Sequence, residues 1–360
     1  MGGAEYQAHL LAMEFSRRAG VRTTYLSRFV PAEAEIPYDV RQMGQPTVRG
    51  RRAALLDAQR LWTSLRELQP DVIYQRIKQS YTAVCALYAR HSGIPLFFHA
   101  ASEQDVDTSW RQRRWSMNTP LDFAEVAAGN WGVRHASHVI VQTHEQAILL
   151  RANMQRGASL VVRNFQPLPV QQQRIDHPGV CVVWVGNLKP VKRPHLYVEL
   201  AHRLQVHPEI QFLMVGRPGA ERGMPQLMSE IAATPNIKFL GELTLDEVNA
   251  LMDRADILVN TSNFEGSPNT FIQAWAHGVV VTSLAVDVDG GMETQGIGFC
   301  RRDMAQLAQI IAELARSPDW RRSVAERAFS YVHREHSLDN AMRLADTMLS
   351  TAQRAVDRHR

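Results

Sequence analysis

Short β-branched and aromatic runs alternate with stretches whose apolar positions recur every three to four residues, through almost the whole chain. The first helical pattern, AEYQAHLLAMEFSRRAG, stops at Gly20. VRTTYLS, DVIYQR, IPLFFHA and SHVIVQT read as strands, with helical patterns over 52–68 and 80–91 among them. After Val161 the sequence VVRNFQPLPVQQQRIDHPG is rich in Pro, Gln and other polar residues and reads as a linker. The alternation then restarts with VCVVWVG, IQFLMVG, IKFLG and DILVN, each followed by a helical pattern, and residues 303–355 are largely helical. Such alternation on both sides of a linker predicts an α/β protein of two doubly wound, Rossmann-like domains, each with a parallel sheet. The expected boundaries are 1–165 for the first domain, 166–178 for the linker and 179–335 for the second. A C-terminal helix over 336–360 is expected to pack back on the first domain.

In sheets of this kind ligands bind beyond the carboxyl ends of the strands, so the two domains are expected to face each other across a cleft where such loops converge. The 360 residues suit two domains, and 45% hydrophobic with 21% charged residues is an ordinary globular balance. Cys85, Cys181 and Cys300 lie far apart and form no disulfide or zinc pattern, which fits reduced thiols. No apolar run approaches the length of a bilayer span, and no charged-then-apolar leader opens the chain. The expected location is cytoplasmic, or peripheral at the inner face of the plasma membrane.

Charge is unevenly divided. Residues 1–170 hold 20 Lys and Arg against 14 Asp and Glu, a surplus of six, whereas the remainder holds 20 against 22. A basic first half suits an anionic lipid surface or a phosphorylated acceptor, and a solvated arginine-rich surface accounts for it equally. SWRQRRW, where Trp110 and Trp115 bracket Arg111, Arg113 and Arg114, suits contact with an anionic membrane or a lipid-linked acceptor, and a solvated helix face accounts for it equally. No nucleic-acid partner is expected. Only four residues are lysines: Lys78, Lys189, Lys192 and Lys238.

Two of those four share VGNLKPVKRP, residues 185–194. Gly186 lets the backbone turn after a strand, and Lys189, Lys192 and Arg193 bring positive charge ahead of a helix, as a phosphate site requires. A solvated turn has the same composition. No GxxxxGK[ST] segment exists, which argues against a P-loop nucleotidase. The second loop is FEGSPNTFIQAWAHG, residues 264–278, after DILVN. Glu265 there falls at a strand's carboxyl end, Asn269 and Thr270 fall near a helix start whose N–H groups suit a diphosphate, and Gln273 follows about one turn later. An acid at a helix entrance also serves simply to complement the dipole. Two weaker candidates are the glycine pair Gly2 and Gly3 opening the first helix, and His99 at the end of a strand.

Taken in order, GGAE, a strand ending FFHA, VGNLKPVKRP, FLGEL and NFEGSPNTFIQAW resemble the retaining glycosyltransferases of family 4, with the GT-B fold. The resemblance covers nearly the whole chain and is most specific in its second half. It implies transfer of a sugar from a nucleotide-diphosphate donor to a saccharide or lipid-linked acceptor, without a metal ion or other cofactor. It points to synthesis of a surface polysaccharide or glycolipid. By the same resemblance Glu265 holds a donor-sugar hydroxyl, and Gly266, Ser267, Pro268, Asn269 and Thr270 form the loop whose amides touch sugar and diphosphate. Lys192 binds the diphosphate, His99 lies near the donor sugar, Gly2 and Gly3 face its phosphate, and the backbone near Leu240 meets the base.

Three features depart from that pattern. Asn187 stands where an arginine is common, with Lys189 nearby to compensate. Gln273 stands where a second glutamate usually accepts the ribose hydroxyls; its carbonyl still accepts, more weakly than a carboxylate. The strand expected ahead of GGAE is absent, as if the chain started late. A nucleotide-sugar binder that has lost catalysis, or a sugar epimerase or phosphorylase of the same fold, shares these features.

Overall fold

The structure, a computed structural model, describes residues 3–27, 36–43, 57–108, 120–220 and 222–359. It divides into two compact units: Met1–Gln166 with Leu338–Arg360, and Pro167–Ser337.

The first unit opens with helix α1 (Gly3–Ser16), followed by a parallel strand pair, β1 (Thr24–Ser27) and β2 (Asp39–Gln42). Helix α2 (Ala58–Leu68), β3 (Ile73–Arg76), α3 (Ser80–Ser92), β4 (Leu96–His99), α4 (Glu103–Val106), α5 (Pro120–His135), β5 (His138–Val141), α6 (His144–Met154) and β6 (Leu160–Val161) come next. Strands β3, β4, β5 and β6 form a parallel sheet in sequence order. Local signals set the helix ends. Gln79 and Thr82 form a reciprocal capping pair at the start of α3, and Gly93, at φ +70°, ends it in the left-handed region. Helices α3 and α5 meet so closely that a Cβ on Gly132 would fall 2.4 Å from the backbone of Thr82 and Ala83, so only glycine fits there.

Two later helices of the chain belong to its end: α12 (Pro318–His336), in the second unit, and α13 (Asp339–His359), which returns to the first. Ala341, Leu344, Ala345 and Met348 of α13 share one buried cluster with Leu10, Leu11 and Phe15 of α1, and with Phe97, Ile140 and Phe165 beneath them. Leu344 and Met348 are each 1% exposed, and burial of side chains this size contributes about 1.5–3 kcal/mol apiece. Arg18 adds an ion pair to Asp346 at 2.8 Å.

The second unit contains β7 (Val180–Val185), α7 (Pro194–Arg203), β8 (Ile210–Val215), α8 (Met224–Ala233), β9 (Ile237–Gly241), α9 (Leu245–Met252), β10 (Ile257–Asn260), α10 (Asn269–Ala276), β11 (Val280–Ser283), β12 (Gly298–Cys300) and α11 (Met304–Arg316), with α12 closing it. Its six parallel strands run β12-β11-β10-β7-β8-β9. This is the doubly wound order, whose direction reverses between β7 and β10. Strand periodicity explains the apolar run in β7: Val180, Val182 and Trp184 enter the core on one face, and Cys181 and Val183 enter the core on the other.

The polar stretch read as a linker is fastened to the second unit. Ile175 N–H donates to Asp253 O at 2.9 Å, and Arg174 pairs with Asp256 at 2.9 Å. The chain therefore leaves the first unit at Gln166 and re-enters it at Leu338, rather than over the broader 166–178 span. On the first unit's side, the Gln7 amide holds Phe165 from both ends, donating to its carbonyl at 2.8 Å and accepting from its N–H at 3.0 Å.

Candidate active site

Strands β7 and β10 are neighbours at the reversal point, so the loops leaving their carboxyl ends emerge side by side. The first contains Gly186, Asn187, Leu188 and Lys189, then a 3₁₀ turn over Pro190–Lys192. Leu188 is fully buried and its N–H donates to Arg217 O at 3.0 Å, which ties this loop to the one after β8. The tie needs glycine at 216: a Cβ there would stand 1.8 Å from the Gly186 carbonyl oxygen. Asn187 and Lys189 remain exposed on the loop's outer side.

The second loop, after β10, is stitched to the first. Thr261 Oγ1 donates to Lys192 O at 2.7 Å and accepts from Trp184 Nε1 at 2.9 Å. Asn263 N–H donates to Val191 O at 3.0 Å. Arg193, in the left-handed region at φ +46°, donates to Thr261 O at 2.6 Å and to Ser262 O at 3.0 Å. Its guanidinium is thus spent on holding the two loops together, a correction to its reading as charge for a ligand. Desolvation draws its pKa below the usual arginine value.

The stitching brings Lys192 Nζ to 2.5 Å from Glu265 Oε1. Ser262 Oγ donates to the same oxygen at 2.6 Å, and Asn260 Nδ2 reaches it at 3.2 Å. Neither Lys192 nor Glu265 is fully covered, with side chains 29% and 16% exposed. Beyond Glu265 the chain passes through Gly266, Ser267 and Pro268 into α10, whose first residues are Asn269 and Thr270. Pro268 occupies the N-cap without a side-chain cap, so the positive end of the helix dipole is met by no side chain at that position. Phe271, Ile272, Ala274 and Trp275 root α10 in the core, with Trp275 Nε1 donating to Ile297 O at 2.9 Å. Gln273 sits on this helix at 7% exposure, and its Nε2 donates to Asn249 Oδ1 of α9 at 3.0 Å.

The structure therefore gathers Gly186, Asn187, Lys189, Lys192, Glu265 and the start of α10 at adjoining strand ends. Leu240 lies half-buried near the end of β9, the edge strand two positions from β7. In the first unit Gly3 opens α1, while Gly2 and SWRQRRW lie outside the described residues. His99 does not offer a nitrogen to a ligand. It is fully buried, with Nδ1 2.8 Å from the Tyr74 hydroxyl and Nε2 3.3 Å from Val162 O. Burial and the neighbouring Arg76 charge hold its pKa well below the usual histidine range, so the ring is neutral and serves the end of the sheet.

Sequence reasoning did not single out Asn260, Ser262, Thr261 or Asn249. The first three lie three to five positions ahead of the acid in NTSNFEG and are found by asking what a carboxylate at a strand end needs as donors. Asn249 carries no such local signal. Among the described residues no group of three or more His, Cys, Asp or Glu is disposed to hold a metal ion, and no helix is long and apolar enough to cross a membrane.

Two family models match the chain: "Glycosyltransferase Family 4" over residues 1–165 and "Glycosyl transferases group 1" over residues 179–317. A D-inositol 3-phosphate glycosyltransferase of Mycobacteroides abscessus is 27% identical over 191 residues, half of this chain and 40% of that protein's length. Among solved structures, Anabaena HepE in complex with UDP and glucose aligns with TM-score 0.74 at 18% identity, over 97% of this chain and 96% of its own. WaaG, a glycosyltransferase involved in lipopolysaccharide biosynthesis, aligns with TM-score 0.77 at 15% identity, over 97% and 96%. These likenesses give the fold, GT-B.

Proposed function

Because this chain belongs to the group 1, family 4 glycosyltransferases, we propose that it transfers a sugar from a nucleoside-diphosphate donor to an acceptor hydroxyl, with retention at the anomeric carbon. The observation that carries this reading is the Lys192–Glu265 pair at the strand reversal, beside the start of α10. A sugar linked to a diphosphate presents hydroxyls to be accepted and phosphate charge to be neutralised. A carboxylate, an ammonium group and a helix N-terminus supply those functions in one place.

In this mechanism Glu265 accepts hydrogen bonds from a donor-sugar hydroxyl and fixes the ring. The diphosphate lies against the backbone amides at the start of α10, and Lys192 leaves Glu265 to bind it. As the anomeric carbon–oxygen bond breaks, negative charge grows on the diphosphate. Lys192 and the helix terminus stabilise that charge, the term that usually contributes most to such a barrier. The acceptor oxygen bonds to the anomeric carbon from the face the diphosphate leaves, and its proton goes to the departing diphosphate. Gln273 turns its carbonyl to the ribose, since its amide nitrogen is held by Asn249, and the backbone near Leu240 borders the base. Diphosphate charge is met by Lys192 and amides, so no metal is required. Under this reading the acceptor is a saccharide or lipid-linked saccharide of a surface polysaccharide or glycolipid, reached at the cytoplasmic face of the membrane.

HepE binding UDP and glucose makes uridine nucleotides the first probe. Thermal melting of the full chain against UDP-, GDP- and ADP-sugars tests the reading. At least one raises the melting temperature and is turned over when acceptor is supplied; a chain that no nucleotide sugar stabilises is not a transferase of this kind.

A further inference from the structure

The carboxylate of Glu265 is held unevenly. Three donors converge on Oε1: Lys192 Nζ at 2.5 Å, Ser262 Oγ at 2.6 Å and Asn260 Nδ2 at 3.2 Å. No donor among the described residues reaches Oε2. The two neutral donors are the better fixed. Asn260 ends β10, with its carbonyl accepting from Leu284 N–H at 2.9 Å, and is 7% exposed; Ser262 is 1% exposed. The Asn260 amide is oriented by its own turn: Ser262 N–H donates to Asn260 Oδ1 at 3.0 Å, which leaves Nδ2 to face Glu265. The lysine, by contrast, is a flexible point charge on a long stem.

We propose that Asn260 and Ser262 are positioning residues that keep Glu265 in place, Oε2 toward the donor sugar, while Lys192 changes partner from the carboxylate to the diphosphate. This rests on the transferase reading above. Without the two neutral donors, a carboxylate whose strongest partner is Lys192 follows that lysine toward the phosphate, or swings free once the lysine leaves. With them, the exchange of partners costs Oε1 one bond of three and leaves the sugar-binding oxygen where it was. A hydrogen bond to a charged group is among the stronger ones in a protein, so losing one is enough to disorder a side chain with three rotatable bonds.

The test compares UDP with UDP-glucose, or the corresponding pair that melting selects, on the full chain carrying Ser262→Ala, Ser262→Thr or Asn260→Asp. The aspartate keeps the turn, since its carboxylate still accepts from Ser262 N–H, but sets an acceptor against Glu265. In Ser262→Ala and Asn260→Asp, UDP affinity stays near wild type, the affinity advantage of UDP-glucose over UDP is lost, and kcat falls about tenfold or more. Ser262→Thr, which keeps the hydroxyl, restores both. Wild-type kcat and wild-type donor preference in Ser262→Ala overturn the proposal, and so does a parallel loss of UDP and UDP-glucose affinity, which marks damage to the loop rather than to Glu265. A wild-type chain that binds no nucleotide overturns the transferase reading itself, and this inference with it.

Discussion

Gln273 on α10 donates its amide to Asn249 Oδ1 on α9 across 3.0 Å. The bond decides which end of Gln273 is presented outward, because an amide whose nitrogen is engaged has its carbonyl left to accept. Gln273→Glu sets a carboxylate against Asn249 Oδ1, but asparagine can turn its amide over and donate through Nδ2. The variant is therefore expected to bind the donor as well as wild type or more tightly. Asn249→Ala, which releases the Gln273 amide, weakens donor binding by about 0.5–1.5 kcal/mol, the net contribution of one neutral hydrogen bond. Calorimetric donor titrations of both variants check this; tighter binding by Asn249→Ala contradicts it.

The first unit should lose stability in mild acid. His9, His99 and His138 all have pKa values lowered by burial, His99 the most, with Arg76 adding to the depression. A histidine depressed in the folded chain takes up its proton more readily when unfolded. Its contribution is fully present above the unfolded value of about 6.5 and is lost as pH falls below that value toward the folded one. Melting curves from pH 8 to pH 5 should show the first unit's transition falling mainly below about pH 6.5, and His99→Gln should flatten that slope.

Gly216 touches no proposed ligand, yet it sets how closely the loops after β7 and β8 approach. At φ +153°, with a Cβ 1.8 Å from Gly186 O, Gly216→Ala must push the Gly186–Lys192 loop outward. Overpacking of this kind costs about 1–3 kcal/mol of stability. Nucleoside diphosphate affinity should fall with it, because Lys192 moves. Chemical denaturation and UDP titration measure the two effects on one sample.

Turnover should be insensitive to chelation. The charge-neutralising groups assigned here are Lys192 and the amides opening α10, so excess EDTA leaves transfer unchanged. Activity lost in chelator and restored by magnesium or manganese contradicts the assignment.

How legible all this was in the sequence varied with the signal. Strands β7 to β10 of the second unit were plain, because their runs are short and largely apolar, and β7 is apolar on both faces as a buried parallel strand is. β2, β6, β11 and β12 were not read: DVRQ is polar, LV spans two residues, VVTS follows the preceding helix after only three residues, and GFC spans three residues. Glu265 and Lys192 were legible as loop residues, but a separation of 73 positions hid their pairing, which arises only because β7 and β10 are adjacent. His99 misled for the opposite reason. Its place at a strand end suggested a ligand, while the groups that satisfy it, Tyr74 and Val162, come from β3 and from the residue after β6. Asn249 was invisible because its partner is on another helix.

The most direct test of the account is the affinity for free nucleoside diphosphate, set beside the transfer rate, in Glu265→Gln and Lys192→Ala. Glu265→Gln takes a charged acceptor from the sugar and frees Lys192 from its ion pair, so diphosphate should bind as tightly as in wild type or more so while transfer collapses. Lys192→Ala takes charge from the diphosphate, so affinity and transfer should fall together, transfer by about 2–4 kcal/mol. Equal loss of diphosphate affinity in the two folded variants, or normal transfer in either, contradicts the roles given to this pair.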